Sequence, residues 1–231
     1  MLPLRDDQPR YSTPYVTYFL IALNLLIFLF ESMLDPASLK GLIYQLGIVP
    51  EHLTAFLAGS PKYPLIAVVL PFFTSMFLHG GWLHVIGNMW FLHIFGDNIE
   101  DYLGHFKFLV FYLLCGVIAM AAQVISDPHS RVPALGASGA IAGVLGAYFL
   151  LYPRARVLTW FFIFVIYVPA WLILGYWFVL QFLNGAATSL TYAGHSMGGV
   201  AFWAHVGGFI AGAVLIKIFP ARQRRSPYAW Q

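Results

Sequence analysis

Long apolar runs separated by short polar segments dominate this chain. Six stretches, residues 15–33, 80–96, 106–125, 138–151, 157–181 and 200–219, are apolar enough to read as membrane-spanning helices. A hydrocarbon core about 30 Å thick takes around 20 helical residues, and fewer where a helix starts inside the membrane. Between the first two lies a longer segment that begins polar and ends in Tyr63-Pro-Leu-Ile-Ala-Val-Val-Leu-Pro-Phe-Phe. It is too short and too Pro-bounded for an independent span and reads as an interfacial or half-inserted element. The pattern predicts an all-α membrane protein: one six-transmembrane-helix bundle over 15–219, between an N-terminal tail (1–14) and a basic C-terminal tail (220–231). There is no soluble domain, no linker and no internal repeat.

Composition places the chain in a bilayer: 60% of its 231 residues are hydrophobic and 9% are charged, against roughly a quarter charged in soluble domains. The net charge of +3 does not point to nucleic acid, because the basic residues flank apolar spans and form no soluble basic domain. They set an orientation instead. With the N-terminus inside, Arg5, Arg10, Lys107, Arg154, Arg156, Lys217, Arg222, Arg224 and Arg225 are cytoplasmic, leaving Lys40, Lys62 and Arg131 outside. Both tails are then cytoplasmic, with the odd spans running outward and the even ones inward. Glu31-Ser-Met-Leu-Asp-Pro after the first run has no small-residue cleavage site, so that span is expected to stay uncleaved. No transit peptide is evident, and the expected location is the cell membrane, a bacterial inner membrane. The single cysteine, Cys115, sits within an apolar run, can form no internal disulfide and reads as a small core residue.

Polar side chains inside spans are costly, which makes them candidates for function, although many only join helices. Four stand out: His84, Asn88, Ser138 and His205. Ser138 opens the fourth span within Gly136-Ala137-Ser138-Gly139, a weak signal by itself. Thirteen residues separate Ser138 from Leu151, and fourteen separate His205 from Phe219. At 1.5 Å per residue both side chains lie roughly 20 Å from the same boundary, on helices running the same way. His84 falls within about a turn of that layer. Small residues allow close backbone approach: His205 shares a face with Ala201, Gly208 and Gly212, and Ser138 with Ala142 and Gly146, flanked by Gly139 and Gly143. These faces can touch. His84 and Asn88, four apart, can present two donors to one pocket or bond across helices. His79, His93 and Asn24 read as structural.

His-Glu-x-x-His is absent, and no pair of intramembrane aspartates exists for an aspartyl protease. The last acidic residue is Asp127, and every carboxylate lies in a tail, a loop or near a span end. A serine hydrolase on this chain would therefore be a dyad. The start of the fourth helix supplies unpaired N–H groups and a positive dipole end suited to a developing oxyanion. No metal or cofactor is implied.

His79-Gly-Gly-Trp-Leu-His84-Val-Ile-Gly-Asn88, Gly136-Ala-Ser138-Gly139 and Ala204-His205-Val-Gly-Gly-Phe-Ile-Ala-Gly resemble the three signature segments of rhomboid proteases. The resemblance runs from about Phe72 to Phe219. It implies a rhomboid-like bundle acting as an intramembrane serine endopeptidase on transmembrane segments of other proteins, admitted laterally beside the fifth span. It also implies Ser138 as nucleophile, His205 as base, and the side chains of His84 and Asn88 with the Ser138 backbone N–H as oxyanion donors. Two positions depart from the family pattern. No tryptophan occurs between Met1 and Gly81, where many members carry a Trp-Arg pair in the first loop, and Ala142 stands where some stack a tyrosine on the catalytic histidine. Orientation of His205 then falls to packing or to another aromatic.

Two other classes compete. A non-catalytic rhomboid-like protein that binds and escorts membrane clients is the first, but such relatives lose the serine or the histidine. A transporter is the second, but the paired repeats and broken helices common there are not found. The partners expected are transmembrane protein substrates and membrane lipid, with no nucleic acid.

Overall fold

The computed structural model describes residues 1–191 and 200–222. The basic residues Arg224 and Arg225 and most of the C-terminal tail lie outside the described residues. Helix α1 (Tyr15–Met33) buries Thr17, Leu20, Asn24, Phe28 and Glu31, a stripe recurring every three to four residues. Pro14 precedes α1 and gives it no side-chain cap. Glu100 does that work from across the bundle, accepting from Val16 N–H (2.9 Å), Thr17 N–H (2.7 Å) and the Thr17 hydroxyl (2.7 Å). A carboxylate at a helix start satisfies orphan donors and meets the positive dipole end.

The long connection after α1 folds into α2 (Pro36–Leu46), α3 (Pro50–Leu57), α4 (Leu65–Val69), α5 (Pro71–Thr74) and a 3₁₀ turn (Ser75–Phe77). Asp35 caps α2 by accepting from Ala37 N–H and Ser38 N–H, with Pro36 at the first helical position. Without a Trp-Arg pair, other contacts tie this loop down. Ile48 bridges Ala134, Arg131 pairs with Glu51 at 2.8 Å, and Thr74 Oγ1 donates to Leu46 C=O at 2.7 Å. The segment Leu65–Phe77 then turns by 77° into α6 (Trp82–Leu103).

Helices α7 (His105–Ser126), α8 (Ser138–Leu151) and α10 (Phe202–Ile218) complete the centre of the bundle. Every residue of α8 from Gly139 to Tyr148 is buried. Glycine makes this possible. A Cβ at Gly212 would lie 1.8 Å from the Gly143 carbonyl oxygen, one at Gly208 2.0 Å from that of Gly139, and one at Gly146 2.0 Å from that of Phe209. Packing in lipid depends on such backbone approach. The contact stripe on α8 therefore runs through Gly139, Gly143 and Gly146, one position round from the Ser138–Ala142 face. Cys115 is buried against Gly143.

The expected fifth span over 157–181 is corrected. Residues Arg156–Phe161 and Phe164–Pro169 form strands β2 and β3 of a tight antiparallel hairpin in which Phe161 pairs with Phe164. Helix α9 begins only at Ala170 and continues to Thr191. A short apolar run does not distinguish strand from helix by periodicity, and Val, Ile, Tyr, Phe and Trp favour strands. Phe162 takes a positive φ of 54° at the hairpin tip, where a two-residue turn needs it. Residues Leu2–Arg5 of the N-terminal tail add a third strand, β1, antiparallel to β2. A small sheet thus caps one end of an otherwise helical molecule.

Among the described residues, α1, α7 and α9 are each long and apolar enough to cross a membrane. Leu65–Phe77 and α6 pass together as a bent fourth candidate, and α8 and α10 are shorter apolar helices.

Candidate active site

Ser138 occupies the first position of α8. The chain reaches it through Gly136, whose φ of +120° disfavours any side chain and whose absent Cβ would stand 2.7 Å from the His84 imidazole. Gly136 N–H donates to Ser75 C=O at 2.8 Å, fixing the approach. His205, 8% exposed on the first turn of α10, places Nε2 2.8 Å from Ser138 Oγ. The glycine crossing of α8 and α10 sets that distance, because it brings the two helix starts together before any side chain is considered.

The other imidazole nitrogen of His205 has a partner that sequence reasoning missed. Nδ1 lies 2.8 Å from Gln181 Oε1 on α9. An amide oxygen can only accept, so this contact places the proton on Nδ1 and leaves the Nε2 lone pair facing the Ser138 hydroxyl. Trp177, one turn earlier on α9, sets its ring 5.6 Å from that of His205 at 36°. Ala142 is fully buried and offers no aromatic surface. The sequence signal for Gln181 was an amide in an apolar helix, hidden because Gln181 stood at the end of the misplaced fifth span.

His84 lies in the first turn of α6, against Gly136. Its Nδ1 accepts from Gly80 N–H at 3.3 Å, which leaves Nε2 to carry the proton as a donor. That nitrogen and Ser138 Oγ both face the space beside Gly136, at 2.7 and 3.7 Å from the point its Cβ would occupy. Asn88, one turn along and 8% exposed, has an amide nitrogen with no partner among the described residues. Buried amide donors are nearly always satisfied in native structures; this nitrogen shares its unpaired state with Asn24 Oδ1 and the His79 ring nitrogens. The structure thus brings Ser138 and His205 into contact and puts His84 beside them.

The residues read as structural sit elsewhere. Asn24 donates to Leu20 C=O at 2.7 Å, His93 stacks on Tyr18, and His79 packs its ring edge-on against Phe28 and His84 while its backbone N–H donates to Glu31.

These features define a helical membrane protein with a hydrogen-bonded serine and histidine at two closely packed helix starts. The rhomboid domain model matches residues 67–222, and the chain belongs to the rhomboid family. Among curated proteins it is 31% identical over 150 residues to the chloroplastic rhomboid-like protein 11 of Arabidopsis thaliana, covering 63% of this chain and 50% of that one. It is 31% identical over 144 residues to the mitochondrial rhomboid protein 1 of Saccharomyces cerevisiae, covering 61% and 39%. A shorter match of 33% over 78 residues is to the Bacillus subtilis rhomboid relative YdcA, covering 34% and 39%. The chain spans half or less of the length of these relatives. Their organellar as well as bacterial origins lend no support to the expected bacterial inner membrane; the membrane itself stands.

Proposed function

We propose that this protein is an intramembrane serine endopeptidase that hydrolyses peptide bonds in or near transmembrane segments of other membrane proteins. The observation that carries the reading is the 2.8 Å contact between Ser138 Oγ and His205 Nε2, in a histidine whose other nitrogen is held as a donor. In this mechanism Ser138 Oγ attacks the scissile carbonyl while His205 Nε2 takes its proton. The tetrahedral oxyanion is met by His84 Nε2–H, the Asn88 amide and the Ser138 backbone N–H. His205 returns the proton to the leaving amine, and water then hydrolyses the acyl-enzyme by the same route in reverse. No metal or cofactor takes part.

Six crossings, of which α8 and α10 are the short ones, with residues 1–14 and 220–231 on the cytoplasmic side, complete the proposal. Pairing of β1 with β2 supports it, because it requires residues 2–5 and the connection between α8 and α9 to share one side.

The test is labelling of the detergent-solubilised protein by a serine-reactive fluorophosphonate, with cleavage of a model transmembrane substrate in parallel. Both signals should disappear in Ser138→Ala and in His205→Ala. A folded wild-type protein that neither labels nor cleaves would instead be the non-catalytic, client-binding kind of rhomboid-like protein.

A further inference from the structure

We propose that Gln181 is a positioning residue for His205, making the functional unit Ser138–His205–Gln181. The inference rests on the catalytic reading above and goes beyond it in naming what aligns the base. Among the described residues no other side chain bonds its Nδ1: Ala142 brings no ring to His205, and the bonds made by His205 side-chain atoms run to Ser138 and Gln181. Gln181 and Trp177 are four residues apart, hence on one face of α9, and together they hold one nitrogen and one face of the imidazole.

An amide suits this place. It fixes the tautomer as a carboxylate would, yet brings no charge into an apolar bundle where an ionised side chain is far more expensive. The rotated amide would present its NH₂ to Nδ1, put the imidazole proton on Nε2 and leave no lone pair for the serine proton. Orientation of one side chain therefore separates a competent base from an incompetent one.

The same geometry makes alignment conditional on α9. Of the three long apolar helices α9 is the least covered, with 22% of its apolar window buried against 44% for α7. Displacement of α9 withdraws both Gln181 and Trp177 from His205 at once, so the base is set only while α9 is seated.

Full-length wild type, Gln181→Met, Gln181→Asn and Gln181→Glu would be compared by fluorophosphonate labelling rate, kcat and KM on a model transmembrane substrate, and Tm. Gln181→Met removes the acceptor at nearly constant volume, Gln181→Asn retracts it by one methylene, and Gln181→Glu keeps it in place. We expect labelling rate and kcat to fall roughly 10- to 100-fold in the Met and Asn variants with KM changed less than about twofold, and the Glu variant to recover most of the rate. If Gln181→Met does not fold, the contrast between Asn and Glu carries the same test. Unchanged kcat in a folded Met or Asn variant, or a Glu variant as slow as these, overturns the role of Gln181 and leaves the serine mechanism intact. A wild-type protein that Ser138→Ala does not distinguish overturns the mechanism and this inference together.

Discussion

The two ends of α8 use polar groups in opposite ways. At the Ser138 end the polar side chains are Ser138, His205, Gln181, His84 and Asn88, none of them a carboxylate or a permanent cation. Hydrogen bonds there set tautomers and leave a donor over, the Asn88 amide nitrogen. Around the Tyr148 end the carboxylates gather. Tyr148 donates to Asp6, Arg156 pairs with Asp7 at 2.9 Å, Arg10 with Asp97 at 3.9 Å, Ser12 donates to Asp101 at 2.6 Å, and Glu100 caps α1. There the polar groups consume one another, which holds the tail, the hairpin and α1 together. The two ends of α8 thus differ in charge: carboxylates and their partners at one, imidazole, hydroxyl and amide at the other.

The largest break of that contrast is at the proposed nucleophile and its base. Ser138→Ala removes one oxygen from a tightly packed helix start and should abolish cleavage with Tm unchanged. His205→Ala should be equally inactive, since an unassisted hydroxyl is a poor nucleophile at neutral pH. Residual turnover near the wild-type level in either variant would end the assignment.

His84 and Asn88 come next. Loss of one oxyanion donor typically costs about 10²–10³ in kcat, roughly 3–4 kcal/mol, because the donor meets charge that exists only in the transition state. His84→Ala should show that loss with little change in KM. Asn88→Ala should be milder, because N–H groups of the first turn of α8 remain available. A raised KM with normal kcat in both would return these residues to packing or substrate binding.

Glu100→Ala tests the other end, where the effect should fall on stability instead of rate. Without the carboxylate the Val16 and Thr17 N–H groups and the Thr17 hydroxyl lose their acceptor at a buried helix start, costing about 2–4 kcal/mol. Thermal denaturation should show the loss, while kcat of the protein that remains folded stays near wild type. A large fall in kcat at full stability would mean that this end participates in the chemistry.

How much of this could be read in the sequence follows from the same physics. Residues 15–33 and 138–151 coincide with α1 and α8, because a polar boundary and a glycine-flanked serine punctuate the chain sharply. Depth counting along two helices of the same direction put Ser138 and His205 in one layer, since helix rise is nearly constant. The fifth element was misread because its first residues, Val157 to Val168, are apolar apart from Thr159, and apolarity without period does not choose between strand and helix. Gln181 was invisible for a related reason: its partner lies on another helix, 24 residues away, and only the rotation of α9 brings them together. Pairing of Leu2–Arg5 with a hairpin strand could not be foreseen while that hairpin was read as helix.

The smallest expected effect sharpens the comparison through pH. Asp6, in the tail that joins β1 to α1, has its carboxyl pushed from an ordinary 3.8 to about 6 by burial, with Asp97 and Asp7 nearby adding to the rise and the Tyr148 hydroxyl bond opposing it. Arg156 is engaged by Asp7, and Arg10 reaches Asp97 only at 3.9 Å, so neither cation is committed to Asp6. A carboxyl that holds its proton more tightly folded than unfolded contributes stability below the unfolded value and loses it as pH rises through the folded value. Docking of the N-terminal strand should therefore be firmer at about pH 4 than at about pH 7. Asp6 is partly solvent-exposed, which limits the change to about 1 kcal/mol. Asp6→Asn is neutral throughout and can still accept from Tyr148. Its Tm should vary less with pH than that of the wild type across this window, and its kcat at neutral pH should be unchanged. Parallel Tm–pH curves for the two proteins would show that Asp6 titrates as it does in the unfolded chain, and a changed kcat would carry the influence of the charged end through α8 to the serine.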